Sequence, residues 1–285
     1  MTAPLRCVLT LSCPGRRGIV ATVTGVLADQ GCNIVESQQF DDADSGNFFM
    51  RIVFDSEEGR SPDDLRSSFR AVADTFNMSW LLNDTSIRPR AMLMVSRFGH
   101  CLNDLLYRLS IGSLPIEVPA IVSNHRDLEP LAAAAGIPFH HVPVTAARKI
   151  HAETRLLDLY QELDCELIVL ARYMQVLSDG LCRRLAGRII NIHHSFLPSF
   201  KGAKPYHQAH RRGVKLIGAT AHYATADLDE GPIIEQRVTR VTHAMSPDAL
   251  VVAGRDVESL TLSSAVQWHA ERRVLLNGQN TVVFR

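Results

Sequence analysis

The sequence of 285 residues predicts an α/β protein with two domains: a small βαββαβ domain over residues 1–86 and a doubly wound, mostly parallel sheet over residues 87–285. Apolar runs typical of strands alternate with stretches in which apolar residues recur at helical spacing. Several later runs are almost wholly apolar, as in parallel strands buried on both faces. Charge is also divided, because the first part contains 7 Arg and no Lys against 12 Asp and Glu, and the second contains 23 Lys and Arg against 18 Asp and Glu.

The first domain is predicted from the order strand, helix, strand, strand, helix, strand. A turn signal at residues 13–15 follows the first strand, Gly31 ends the first helix, and Pro62 stands near the start of the second. The polar run 41–47 predicts a hairpin, and residues 83–89 predict a linker. The predicted strands cover residues 6–12, 33–40, 48–54 and 78–82, and the predicted helices cover residues 18–30 and 62–76.

Composition excludes several classes of protein. The 30 basic residues equal the 30 acidic ones in number, so a nucleic-acid partner, which requires clustered positive charge, is not expected. No apolar run approaches the 18 residues of a membrane span, so no membrane partner is expected either. The 6 cysteines form no CxxC pair, and the N-terminus does not resemble a signal peptide. We therefore expect a cytoplasmic protein with reduced thiols and no structural zinc.

The first loop and the residues after the first helix, 31–34, together with the order of elements, resemble the ACT domain, which has a ferredoxin-like fold. The resemblance implies a regulatory module that pairs side by side with another copy, so a homo-oligomer, either a dimer or a tetramer, is expected. It also implies an amino-acid effector site, since the N–H groups of a helix N-terminus suit a carboxylate. Because Gly15 stands where many relatives carry an acidic residue, assembly without a ligand and a plain packing domain stay open as alternatives. The implied effector loop consists of Cys13, Pro14, Gly15, Arg16, Arg17 and Gly18.

The second domain is predicted from repeated alternation of strands and helices, which favours a parallel sheet with helices on both faces. In such sheets ligands bind beyond the carboxyl ends of the strands. The predicted strands cover residues 91–96, 117–123, 139–142, 167–171, 189–192, 216–223 and 232–236, and the predicted helices cover residues 101–109, 128–135 and 154–162.

Polar side chains collect where two of these strands end. Asn191 and His193 are two residues apart, so on an extended backbone they face the same side of the sheet. His222 ends a later strand, and the acidic loop that follows contains Asp227 and Asp229. An amide, two imidazoles and one or two carboxylates can carry out general acid–base chemistry on a carbonyl group. Each residue taken alone has an ordinary structural explanation, but their combination indicates an active site.

The motif Asn191-Ile192-His193, the run at residues 195–202, and His222 with Asp229 seven residues later resemble the folate-dependent formyltransferase catalytic domain. The resemblance spans about residues 90–285. It implies that Asn191 and His193 donate hydrogen bonds to an oxyanion, that Asp229 handles a water molecule and a proton, and that His222 supports Asp229. It also implies a pterin pocket lined by Met174, Gln175, Val176, Leu177, Ala224, Thr225, Ala226, Asp227 and Leu228. The alternative for Met174, Val176 and Leu177 is that they belong to the hydrophobic core.

The runs 201–210, 219–223 and 254–258, and the ACT-like domain ahead of them, resemble the deformylase branch of this family. The ribonucleotide branch has a glycine-rich phosphate cradle where residues 96–101 contain one glycine, and Arg172 and His194 also depart from that branch. The resemblance therefore implies hydrolysis of 10-formyltetrahydrofolate to formate and tetrahydrofolate. It places the protein in folate one-carbon metabolism and purine biosynthesis, with a small folate as the substrate and with no cofactor and no metal.

Three other functions stay open at this point. The first is transfer of the formyl group to an amine acceptor. The second is an inactive protein that senses an amino acid. The third is a metal hydrolase that uses a histidine-rich set, since all 12 histidines lie at or beyond His100 and His207 and His210 can share one helix face. The candidate metal ligands are His140, His141, His193, His194, His207 and His210.

Overall fold

The computed structural model describes residues 5–56, 60–194 and 205–285. The chain divides into two compact units, of which one comprises Met1–Arg88 and Glu271–Arg285 and the other comprises Pro89–Ala270. The predicted motif at residues 195–202, and the part of the deformylase-like run up to residue 204, lie outside the described residues.

The first unit confirms the predicted βαββαβ order. Its four strands form an antiparallel sheet in the order β2-β3-β1-β4, and both helices supply residues to a single hydrophobic core with the sheet, including Val23 and Phe69. The elements are β1 (Leu5–Pro14), α1 (Ile19–Asp29), β2 (Asn33–Asp42), β3 (Asn47–Ser56), α2 (Pro62–Phe76) and β4 (Ser79–Asp84).

The helix ends follow from local chemistry. Gly31 has a φ of 72°, the left-handed conformation that glycine adopts most easily, directly after α1. Ser61 and Asp64 form a capping box at the start of α2, where Pro62 also stands. The predicted linker at residues 83–89 starts too early, because β4 continues through Asp84 to pair with β1.

The last fifteen residues form a hairpin, β12 (Val274–Asn277) and β13 (Asn280–Val283), which clusters with the first unit. The guanidinium of Arg51, only 4% exposed, donates to the carbonyl oxygen of Glu271 over 3.1 and 3.3 Å. Asn277 Nδ2 also donates to Asp42 Oδ2 over 2.6 Å. The predicted second domain ran to residue 285, and the structure differs from it because these contacts tie the hairpin to the strands of the first unit.

The second unit is a seven-stranded sheet with helices, in the strand order β11-β10-β9-β8-β5-β6-β7. Strands β5 to β9 pair in parallel, and β10 and β11 are antiparallel to their neighbours. The predicted mostly parallel, doubly wound sheet is confirmed. The elements are β5 (Ala91–Val95), α3 (His100–Ser110), β6 (Ile121–Ser123), α4 (Glu129–Ala134), β7 (Phe139–His141), α5 (Lys149–Glu162), β8 (Leu167–Leu170), α6 (Asp179–Arg184), β9 (Ile189–His193), α7 (Pro205–Arg212), β10 (Leu216–Tyr223), β11 (Ile233–Arg240) and α8 (Pro247–Ala270).

Several elements of this unit differ from their predictions, among them α6 and α7, for which no helix was predicted. The predicted strand 117–123 begins only at Ile121, because Pro119 lacks the N–H group that a strand ladder requires. The 24-residue helix α8 had no predicted counterpart. It is buried on several sides, with polar Glu258 and Thr261 among its buried residues, so its apolar residues do not form one stripe. Within the described ranges, no helix has the length and apolarity needed to cross a membrane.

Candidate active site

A pocket of about 280 Å³ opens beyond the carboxyl ends of β8 and β9, beside the point where the strand order reverses between β8 and β5. All nine residues predicted to bind the substrate line it, and so do the four predicted catalytic and supporting residues. The remaining lining residues are Leu170, Arg172, Tyr173, Cys182, Ile192 and His194.

Asn191 and His222 meet because of strand register. In the antiparallel pairing of β9 with β10, His222 lies directly opposite Asn191, and Thr220 lies opposite His193. Residues opposite each other point to the same face of a sheet. Asn191 Nδ2 accordingly lies 3.2 Å from His222 Nε2. The sequence places each residue on a strand, but the pairing that brings them together is a property of the folded sheet.

The hydrogen bonds of His222 determine its protonation. Its Nδ1 lies 3.0 Å from the carbonyl oxygen of Tyr223, which can only accept, so Nδ1 carries the proton. Burial lowers the pKa of His222, although that hydrogen bond and Asp229 raise it, and the ring is neutral near pH 7. Nε2 is therefore an acceptor, and it takes one of the two amide protons of Asn191. Among the residues that the structure describes, no acceptor is found for the second amide proton of Asn191.

Asp229 reaches His193 from the loop between β10 and β11. Its Oδ2 lies 3.1 Å from His193 Nδ1, whereas its Oδ1 lies 3.8 Å from His222 Nε2, beyond hydrogen-bonding distance. Burial raises the pKa of Asp229, but the hydrogen bond and charge of His193, with smaller contributions from His222 and His194, lower it overall. The carboxylate is ionised, and within the described part of the chain Oδ1 makes no hydrogen bond. His222 hydrogen-bonds to Asn191 and also contributes to the lowered pKa of Asp229, so its expected support of Asp229 stays a prediction.

Two features mark this arrangement as one built for a ligand. Asp229 has a φ of 58°, a left-handed backbone that a residue other than glycine adopts at a cost, and such outliers cluster at functional sites. His193 Nε2 is buried and has no hydrogen-bond partner among the residues that the structure describes. Leaving such an atom unpaired costs roughly 1–3 kcal/mol. A substrate atom that accepts or donates at Nε2 would recover that free energy.

Part of the pocket lining consists of exposed apolar side chains. Met174, Val176 and Leu228 are 51%, 56% and 61% exposed, so none of them belongs to the hydrophobic core. Leu177 and Ala224 are half-buried and pack against a core cluster, and they also line the pocket. An exposed apolar wall beside polar groups suits a flat ring system such as a pterin.

Gly231 keeps the loop of Asp229 close to β10. A methyl group on Gly231 would overlap the carbonyl oxygen of Tyr223, which also accepts the proton of His222 Nδ1. We expect Gly231→Ala to lower the free energy of unfolding by about 1–3 kcal/mol, the usual cost of overpacking, and to reduce turnover as well. Chemical denaturation and steady-state kinetics measure both effects. Gly180→Ala is the matched control, because a methyl group there meets nothing closer than 4.0 Å. Wild-type stability and turnover in Gly231→Ala would refute this role.

A polar cluster beside the pocket was not assigned from the sequence. Glu258 on α8, only 1% exposed, contacts His100, Tyr206 and Arg172. Arg172 lies two residues after the end of the buried strand β8, and that position is the signal that could have assigned it to the site. Glu258 lies on a helix whose pattern gave no comparable signal.

The described residues contain one group with spacing suited to a metal ion: His100, Cys101 and Glu258. The chemistry of this group does not fit a cation. Both carboxylate oxygens of Glu258 already have hydrogen-bonding partners, and Glu258 also forms an ion pair with Arg172. Burial raises the pKa of the Cys101 thiol far above its ordinary value, so the thiol is protonated. The six histidines predicted as alternative metal ligands do not form such a group within the described ranges.

The predicted effector loop lies between β1 and α1. Gly15 N donates to the carbonyl oxygen of Gly46 over 2.8 Å, and Arg16 donates to Thr75 and stacks on the Phe76 ring at 4.2 Å. No side chain caps α1, where Gly18 has a φ of 92°. Effector binding and assembly without a ligand both stay predictions.

Comparisons with known proteins agree with this two-domain fold. The formyl transferase family model matches residues 89–266, and the ACT domain family model matches residues 8–74. A curated protein of Corynebacterium sp. (strain P-1), named formyltetrahydrofolate deformylase, is 52% identical over 286 residues, which is 100% of each chain. A Bacillus subtilis protein of the same name is 44% identical and covers 97% of this chain and 93% of its own.

A solved structure shows the same likeness in three dimensions. The crystal structure of formyltetrahydrofolate deformylase from Burkholderia mallei matches with a TM-score of 0.96 and 54% identity, and covers 99% of this chain and 100% of its own. Both domains are therefore shared, and so is their order along the chain. The chain belongs to the formyltetrahydrofolate deformylase family of enzymes.

Proposed function

We propose that this protein hydrolyses 10-formyltetrahydrofolate to formate and tetrahydrofolate, with Asn191, His193 and Asp229 as its catalytic residues. The proposal rests mainly on how these catalytic residues are arranged. His193 Nδ1 lies 3.1 Å from the Asp229 carboxylate, and His193 Nε2 has no hydrogen-bond partner among the described residues. Family membership supports the substrate, and the apolar wall of Met174, Val176 and Leu228 supports a bound ring system.

In the first step, Asp229 accepts a proton from water through Oδ1 while the water oxygen bonds to the formyl carbon. The electron pair of the carbonyl π bond moves to the formyl oxygen, which becomes an oxyanion. The second amide proton of Asn191 and Nε2–H of His193 donate to this oxygen, while Asp229 holds Nδ1 of the same ring. Donors that are already in place stabilise developing charge without reorganisation.

In the second step, the oxyanion re-forms a carbonyl group and the bond from carbon to N10 of the folate breaks. N10 takes the proton held by Asp229, and formic acid loses a proton to become formate. Overall, water and the formamide yield an amine, formate and one proton. The neutral ring of His222 holds the amide of Asn191 in the orientation that this chemistry requires.

The direct test is a formate-release assay with purified full-length protein, 10-formyltetrahydrofolate and no amine acceptor. We expect stoichiometric formate and tetrahydrofolate. Amine-dependent consumption of the substrate without formate would instead identify a formyltransferase, and amino-acid binding without any turnover would identify a sensor. Full activity after extensive chelation, with metal analysis, tests the further proposal that no metal or other cofactor takes part.

We also propose a setting for this reaction. The protein acts in the cytoplasm, in folate one-carbon metabolism connected with purine biosynthesis, as a homo-oligomer that is a dimer or a tetramer. The ACT domain supports the assembly, and an amino-acid effector at residues 13–18 is the second role open to it. Sedimentation of the full chain with and without single amino acids separates these two roles.

A further inference from the structure

Glu258 is a buried carboxylate that the proposed chemistry does not use. Its Oε2 lies 2.8 Å from His100 Nε2, and its Oε1 accepts from the hydroxyl of Tyr206 over 2.6 Å. Burial raises its pKa, but the hydrogen bond of His100 and the charge of Arg172 lower it overall, so the carboxylate is ionised. A methyl group on Gly254 would overlap the Tyr206 ring, so glycine there allows the ring to approach α8. This cluster is built to hold one negative charge.

Arg172 is the cation that this charge holds. Its side chain is 10% exposed, and its Nε lies 3.3 Å from Glu258 Oε2. Among the described residues, this is the one ion pair found for Arg172. It involves Nε, so the terminal nitrogens Nη1 and Nη2 take no part in it. The guanidinium also lies 5.7 Å from the centroid of the Phe98 ring. A buried guanidinium whose fork is not occupied is suited to a small anion.

Arg172 lines the same pocket as the catalytic residues. His194 is a neighbour of both, since its ring centroid is 5.1 Å from that of His193, and burial together with the charge of Arg172 lowers the pKa of His194 to about 4. The neutral His194 leaves Arg172 as the fixed positive charge on this side. The pocket lining therefore includes exposed apolar side chains, at Met174 and Val176, as well as a cation, at Arg172.

We propose that Arg172, positioned by Glu258, forms a carboxylate subsite that receives the formate produced by the reaction. The inference rests on the proposed hydrolysis, because that reaction creates an anion beside His193. With the ring of the folate against the apolar side chains, the new carboxylate forms beside His193, in the pocket that Arg172 also lines. Two N–H groups of a guanidinium match the two oxygens of formate in a paired geometry.

The test is a titration of full-length protein with ¹³C-formate, without folate, followed by the linewidth of the formate carbon. We expect Arg172→Met to weaken formate binding about 10- to 100-fold, the range for losing hydrogen bonds to a charged group. Arg255→Met is the matched control, because Arg255 stacks on the same Phe98 ring at 5.5 Å but does not line the pocket. We expect that control to bind formate as the wild type does.

Glu258→Gln tests the positioning role. We expect formate binding to weaken several-fold while the KM for 10-formyltetrahydrofolate stays within twofold, a separation that a general loss of packing would not produce. If Arg172→Met does not fold, Arg172→Lys decides the question, since it keeps the charge and loses the paired geometry, and we expect weaker formate binding there too.

The failures of the two proposals are distinguishable. Two results would overturn the subsite without affecting the proposed hydrolysis. The first is a wild type that releases formate but does not bind ¹³C-formate, and the second is equal formate binding by the wild type and Arg172→Met. If Arg172→Met raises the KM for 10-formyltetrahydrofolate and leaves formate binding unchanged, the formate subsite is overturned. Arg172 would then bind a carboxylate of the folate glutamate instead. No formate release by the wild type would refute the hydrolysis itself, and the subsite as a product site with it.

Discussion

Asp229→Asn is expected to reduce formate release by about 100- to 10,000-fold, the contribution of a positioned acid–base group. The amide cannot take the proton of water at Oδ1, and it places no negative charge beside His193 Nδ1. Asparagine is the informative replacement, because it tolerates the left-handed backbone that Asp229 adopts at φ 58°. The measurement is single-turnover formate release from 10-formyltetrahydrofolate.

Asp158→Asn is the matched control, since Asp158 is an exposed acid on α5 in the same unit, and wild-type turnover is expected there. Circular dichroism and thermal denaturation show whether the Asp229 variant keeps its fold. A folded Asp229→Asn protein with turnover within a few-fold of the wild type would show that the carboxylate does not move the proton.

Asn191→Ala is expected to reduce kcat by about 100- to 1,000-fold, as for loss of one oxyanion donor. The KM is expected to change little, because the lost hydrogen bond strengthens only as negative charge develops on the formyl oxygen. A second effect follows from the same substitution. The buried Nε2 of His222 loses its donor, which costs about 1–3 kcal/mol of stability in chemical denaturation.

Asn103→Ala, an exposed amide on α3, is the control for both measurements, and no change is expected in either. The two effects separate the possible roles of Asn191. Lost stability with near-normal kcat would leave Asn191 as a structural partner of His222 and would remove it from the catalytic group.

The strands and helices that the sequence predicts well are those with one strong local signal. The near-continuous apolar run at residues 91–96 predicts a buried parallel strand, and β5 occupies Ala91–Val95. Pro62 and the helical spacing after it predict a helix, and α2 begins at that residue. An element that is buried on several sides loses this signal. Helix α8 packs on several neighbours and includes the buried Glu258, so its apolar residues show no clear helical spacing in the sequence.

The residues of the candidate site can be separated in the same way, into those with a local sequence signal and those without one. A two-residue spacing predicts that Asn191 and His193 share a face, because alternation along a strand is a local property. Met174 and Val176 could have belonged to the core or to a pocket, and their exposure decided for the pocket. The hydrogen bond of His222 to Asn191 instead of Asp229 depends on the register of β9 against β10, which no local pattern specifies.

The sequence by itself determined the two-domain α/β architecture and the residues that carry the proposed chemistry. Both follow from short-range patterns and from types of side chain at strand ends. Only the tertiary structure decided that the hairpin Glu271–Arg285 clusters with the first unit and that Asp229 holds His193. It also decided that buried Glu258 positions Arg172 at the pocket. These contacts join residues tens to hundreds of positions apart, and their formation depends on the burial and hydrogen bonding of the whole fold.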